Sequence, residues 1–275
     1  MQFGRLRPLC SLLAAAVAAL VGALRLAPLR WAGAGGATLL GEAHIRGGAD
    51  ARRFAAAMHR EAASIWEEDG LRWYTALAAD GARVESTRID RGPFNRSGVL
   101  LTRGAFTIAN VSASALYRLM TSPEGFQLID PLSDPADFAK YKQRFRWARG
   151  RLEVAEAHAP LPALFSPREF CVLNAFDDGR RTFVSKSVQH ASMPGASLFA
   201  AAGEPPKGRV RALNTFALRT SPSALARGAA ARAAATIELI NYADLTGAPI
   251  LMNWINVQAF LPGIVDRLRE RLSAE

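Results

Sequence analysis

Cysteine is nearly absent: Cys10 and Cys171 are the two in 275 residues, too few and too far apart for a disulfide framework. Cys10 falls in an apolar N-terminal stretch, so a processed chain would keep one thiol. Cys171, between Phe170 and Val172, is expected as a buried, inert side chain rather than a nucleophile. Histidine is scarce too: His44, His59, His158 and His190 lie far apart and none begins a metal-ligand spacing. Serine or cysteine nucleophile motifs are missing, as is a phosphate-cradling glycine loop. These gaps speak against a metal, a cofactor and covalent catalysis, and for a binding protein.

Acidic residues are missing from residues 1–41, which hold Arg5, Arg7, Arg25 and Arg30 around the uncharged run LCSLLAAAVAALVGAL at 9–24. A basic start, an apolar middle and small residues at Val21-Gly22-Ala23 fit a secretory signal. Arginines on both sides without acid also fit a mitochondrial or plastid transit peptide. A retained membrane anchor is the third option, although 16 residues fall short of the roughly 20 that span a bilayer. The expected division is a targeting segment at 1–41 and one domain at 42–275.

The formal charge of +10 drops to +6 without the four leader arginines. The excess gathers in KYKQRFRWARGR, where Lys140, Lys142, Arg144 and Arg146 alternate with Tyr141, Gln143, Phe145 and Trp147. On a strand this alternation puts cations on one face and aromatics on the other. Such a face is either simply solvated or a contact for anionic lipid headgroups, at about 1 kcal/mol per basic residue. No nucleic-acid motif accompanies the charges.

Periodicity supplies the elements. Phe54, Met58, Ile65 and Trp66 recur at helical spacing over Asp50 to Glu68. Leu71–Ala79 and Arg83–Ile89 flank the turn signal Asp80-Gly81, and Val99–Thr102 and Phe106–Ile108 read as two further strand pieces. Ser112 caps a short helix to Met120 that Pro123 stops. A hairpin follows from the apolar run around Phe170, Val172 and Ala175, the turn Asp177-Asp178-Gly179, and the β-branched run Thr182–Val188. The segment Pro249–Leu272 is helical in spacing, ends in Arg267, Arg269 and Arg271, and is broken near Leu261 by Pro262-Gly263.

Four words stand in order along the second half: SPREF from Ser166, VSKSVQHASMP from Val184, GRVRALNTF from Gly208, and TIELINYADLTGAPILMNW from Thr236. In order and spacing they resemble the StAR-related lipid-transfer (START) domain. The resemblance extends over most of residues 65–273, although Ile129-Asp130 stands where the family usually has Trp-Asp. It implies an α+β helix-grip fold, a curved antiparallel sheet wrapped around a long C-terminal helix and enclosing an apolar cavity. It also implies a carrier or sensor of one lipid, sterol or phospholipid, at membranes. The alternative is a helix-grip enzyme, a cyclase or hydrolase acting on a hydrophobic substrate.

By position in the family, Asn174, Gln189, Asn214 and Glu238 correspond to cavity residues, and Glu153 and Arg211 to a buried ion pair that some members carry. Plain alternatives exist: Asn174 opening the Asp177 turn, Gln189 facing solvent, Glu238 pairing with Arg211. The loop Pro194–Lys207 lies where the family has its cavity entrance, making Leu198 and Phe199 candidate lid or membrane contacts beside Trp254 and Leu261 of the C-terminal helix. Burying an acyl chain of about 16 carbons at about 0.8 kcal/mol per methylene is worth roughly 12 kcal/mol, which a carrier must match. Phe176, Phe183, Phe216 and Tyr242 are not expected from the sequence to converge into the aromatic cage that choline calls for.

Overall fold

A computed structural model describes residues 43–67, 72–79, 82–88, 100–129, 142–148, 151–159, 168–190, 210–211, 213–223, 234–244, 253, 257 and 261–273. The segment at 1–41, Leu198, Phe199, Lys140 and Trp254 lie outside the described residues.

The chain opens with β1 (Ala43–Ile45) and α1 (Gly48–Trp66), followed by β2 (Tyr74–Ala79), β3 (Ala82–Arg88) and β4 (Leu100–Ile108). Two short helices, α2 (Ala113–Met120) and α3 (Pro123–Ile129), lead to β5 (Lys142–Trp147), β6 (Leu152–Ala159), β7 (Arg168–Asp177) and β8 (Thr182–His190). The last elements are β9 (Val210–Arg211), β10 (Leu213–Pro222), β11 (Ala235–Asp244) and α4 (Leu261–Ser273). The sheet runs β2-β3-β4-β11-β10-β8-β7-β6-β5, antiparallel along this path and not closed. Short β1 and β9 add in parallel to β8 and β7.

Alternation sorts the strand residues onto two faces. On one face α1 lays Ala51, Ala55, Met58, Ala62 and Ile65, spaced three and four apart, over Val154, Leu173, Val184, Ala217 and Ile240. On the other, α2 and α4 bury Leu116, Met120, Leu261, Ile264, Val265 and Leu268 against Phe106, Phe183, Leu218, Ile237 and Leu239. Each fully buried side chain of this kind contributes about 1.5–3 kcal/mol, so both faces are structural cores.

Some expected boundaries shift and others hold. The two strand pieces around Arg103-Gly104 are one strand, β4, because Arg103 finds Glu85 on β3 at 2.7 Å and Gly104 sits where a Cβ would meet the Phe106 ring at 2.5 Å. Pro123 ends α2 but opens α3, since a proline at a first helical position forgoes an N–H that has no partner there anyway. The break expected near Leu261 coincides with the start of α4 at Leu261, with Pro262 in its first turn and with Asn253 and Val257, described ahead of it, themselves helical. In β5 the register with β6 shifts between Gln143 and Phe145, a local irregularity of the strand that the alternating pattern alone does not announce.

Candidate functional site

The feature that stands apart from both cores is a row of polar residues running across the sheet. Cross-strand register joins Glu153 on β6 to Asn174 on β7, Ser185 on β8, Phe216 on β10, Asn241 on β11, Thr102 on β4 and Ser86 on β3. Two positions along each strand, and therefore on the same face, runs an apolar row of Phe176, Phe183, Leu218, Leu239, Gly104 and Val84. The α4 residue Leu261 covers that apolar row, approaching a Cβ on Gly104 to 3.3 Å. The polar row is its neighbour on the α4 face.

Burial separates this row from an ordinary solvated strand face. Glu153, Asn174, Ser185, Asn241, Thr102 and Ser86 each keep 7% or less of their surface exposed. At the β6–β7 side, Asn174 Nδ2 donates to Glu153 Oε1 at 2.9 Å, and Glu153 Oε2 lies 3.7 Å from Nε of Arg146, whose side chain is exposed. At the β3–β4 side, the hydroxyls of Ser86 and Thr102 have no hydrogen-bond partner among the described residues. An unsatisfied buried hydroxyl costs about 1–3 kcal/mol, a cost that a polar atom reaching both of these would remove. Next to them the Leu100 N–H donates to Asn253 Oδ1 at 2.7 Å, and Val257 is buried in the α4-side core, so both residues ahead of α4 meet this face.

The α1 face also buries an unpartnered hydroxyl among the described residues, that of Thr87 opposite Leu101. Its buried cations are matched: Lys186 Nζ donates to Glu61 Oε2 at 2.8 Å, and Arg103 donates to both Glu85 Oε2 and the Ile65 carbonyl oxygen. Burial lowers the Lys186 pKa and Glu61 opposes that shift. Arg219 stacks over Trp66 and pairs with Glu238 at 2.9 Å, and Arg103 stacks over Trp73. A gap about the size of one water lies beside Met58, Glu61, Ile65 and Lys186.

The expected site residues therefore divide. Glu153 and Asn174 come together in the row, as partners of each other; the Arg211 backbone pairs with Glu169 on the short β9, and its side chain lies outside the described residues. Asn214, half-buried, stands one step beyond Phe216 on the same face, and its backbone N–H donates to Ser187 Oγ at 2.8 Å. Gln189 is half-buried at the end of β8, opposite His44 of β1. Glu238 sits on the α1 face, paired with Arg219. Leu261 is fully buried and packs in the α4-side core. His190 is pushed down by burial and by neighbouring His44. Among the described residues no three His, Cys, Asp or Glu side chains converge as a metal site.

Ser86, Thr102, Ser185 and Asn241 were not candidates from the sequence. ARVESTR and LLTRG carry polar residues at both phases of the alternation, so nothing in them separates a buried interior hydroxyl from a solvated one. The signal that could have found them is the register to Asn174 across four strands.

No protein-family model and no curated protein matches the chain. Solved structures do. The chain is similar to the human StarD13 lipid transfer and protein localization domain, at TM-score 0.50 and 17% identity over 78% of this chain and 95% of that one. It is also similar to human STARD10, at TM-score 0.52 and 16% identity over 82% of this chain and 79% of that one. A weaker likeness, TM-score 0.36 and 12% identity over 62% of this chain and 96% of the other, is to the Zhui aromatase/cyclase from a Streptomyces species, too distant to bear on activity. With a large open antiparallel sheet, a C-terminal helix on one face and these neighbours, the chain has the START-type helix-grip fold.

Proposed function

We propose that the protein binds one lipid on the α4 face of the sheet, over the polar row, and carries or senses it at membranes. The observation that supports this reading is the buried row itself: polar groups excluded from water, two of them unpartnered, beside an apolar surface. A lipid site needs that combination, because the chain or ring gains from the apolar row while a few fixed polar groups orient the head. The names of the solved neighbours, a lipid transfer domain among them, agree with it.

Binding rather than catalysis is the better reading of the same row. Catalysis of cyclisation or hydrolysis asks for an acid and a base within reach of one reacting atom, and the row offers one carboxylate, Glu153, already engaged by Asn174. Leu198, Phe199 and Trp254 remain proposed lid contacts, and Lys140, Lys142, Arg144 and Arg146 a proposed docking edge for an anionic membrane. Targeting by residues 1–41 is proposed on their composition.

The experiment is mass spectrometry of lipids retained by the full chain after incubation with a total lipid extract, beside Asn174→Leu. One lipid class retained by the parent and lost or altered in the variant is expected. Absence of any retained lipid from the folded protein would overturn the reading.

A further inference from the structure

We propose, resting on the lipid-binding reading above, that the ligand is an uncharged, two-ended amphiphile. One hydroxyl donates to the Glu153 carboxylate, and a second oxygen meets the hydroxyls of Ser86 and Thr102.

The second polar position rests on the unpartnered hydroxyls. Ser86 and Thr102 are direct cross-strand partners, 5% and 0% exposed, and neither hydroxyl has a hydrogen-bond partner among the described residues. Directly opposed residues hold their Cβ atoms about 5 Å apart, so one ligand oxygen reaches both hydroxyls and accepts from one while donating to the other. The Glu153–Asn174 position lies far off along the same row. From Thr102 on β4 the path crosses β11, β10 and β8 to Asn174 on β7, four steps that total roughly 19 Å along the sheet at about 4.8 Å each. Phe216 interrupts the polar groups midway. A ligand that satisfies both ends is therefore a long apolar body with an oxygen function at each end.

Charge selects against an anionic head. The two buried cations among the described residues, Lys186 and Arg103, both belong to the α1 face and are both bonded to carboxylates there. Among the described residues of the α4 face the buried carboxylate is Glu153, with Arg146 beside it 62% exposed; burial raises the pKa of the buried Tyr117 and keeps it neutral, and Arg151, stacked over Phe176, is engaged by Asp178. A phosphate or carboxylate brought to Glu153 would set like charges together in a site with little water. A hydroxyl donates to it instead.

The test uses the full chain and three sixteen-carbon probes: hexadecanol, the hexadecane diol with a hydroxyl at each end, and hexadecanoic acid. Retention after gel filtration is quantified by mass spectrometry. The diol is expected to be held about tenfold more tightly than the alcohol, the worth of one added hydrogen-bonded end, and the acid least. Ser86→Ala with Thr102→Val should bring the diol down to the level of the alcohol without changing the alcohol. Because it removes two unpartnered hydroxyls, this variant should melt no lower than the parent, so a loss of binding is not a loss of fold. Glu153→Gln should weaken both alcohols and raise the acid. Retention of the acid as strong as that of the diol, or a diol advantage that survives Ser86→Ala/Thr102→Val, would overturn the proposal. If no probe is held while a lipid extract still yields a bound lipid, the two-ended class is wrong and lipid binding stands. If the extract yields none either, lipid binding itself fails.

Discussion

Lys186 Nζ lies 2.8 Å from Glu61 Oε2, with 2% and 6% of the two side chains exposed, and this pair ties α1 to the centre of the sheet. Breaking a buried pair by removing one partner costs about 3–5 kcal/mol, because the remaining charge loses its counterion. Lys186→Met is therefore expected to lower the urea midpoint strongly, and Lys186→Met with Glu61→Leu to recover most of the loss. A single variant no less stable than the double one would contradict this.

His59, on α1, hydrogen-bonds Thr182 Oγ1 at 3.2 Å. Burial lowers its pKa below the ordinary 6.5, with Asp177 opposing and Arg180 reinforcing the shift. In the window just under 6.5 the unfolded chain then binds the proton and the folded one does not, so stability is full above the window and falls as pH drops through it. Denaturation between neutral and mildly acidic pH should show this slope, and His59→Gln should flatten part of it, since His190 is shifted in the same direction. An unchanged slope in the variant would count against the buried neutral imidazole.

Gly104 is where α4 meets the sheet: a Cβ there would lie 2.5 Å from the Phe106 ring and 3.3 Å from Leu261. Overpacking of this kind costs about 1–3 kcal/mol. Gly104→Ala should lower the melting temperature and speed tryptic cleavage at Arg267, Arg269 and Arg271 by loosening α4. Cleavage at the parent rate would show that α4 docks independently of this contact.

What the sequence made legible follows from local chemistry. Asp177-Asp178-Gly179 is a turn in any context, and β7 and β8 flank it. Ser112 does cap α2, accepting from the Ala115 N–H. Glu153 and Asn174 are 21 residues apart, and only the antiparallel pairing of β6 with β7 makes them partners. Ser86 and Thr102 were not legible, because whether a strand serine faces a solvent layer or an interior depends on which helix covers that face. Glu238 shows the same limit from the other side: the sequence offered Arg211 as its cation, while β10 register brings Arg219.

Glu238 and Asn174 provide a paired test of which face holds the ligand. The Arg219–Glu238 pair keeps 31% and 23% of its side-chain surface exposed, so it is worth about 0.2–1 kcal/mol. Glu238→Gln should leave lipid retention unchanged with a small loss of stability, whereas Asn174→Leu should reduce retention. Equal loss of lipid in both would contradict a site confined to the α4 face.

The most direct measurement is photocrosslinking of the full chain with a diazirine-bearing fatty alcohol, followed by peptide mapping. A site over the polar row predicts adducts in β4, β7 and β8 and at Asn253, Val257 or Leu261, lost on competition with the unlabelled diol. Adducts concentrated in α1 would contradict it and place the ligand on the opposite face.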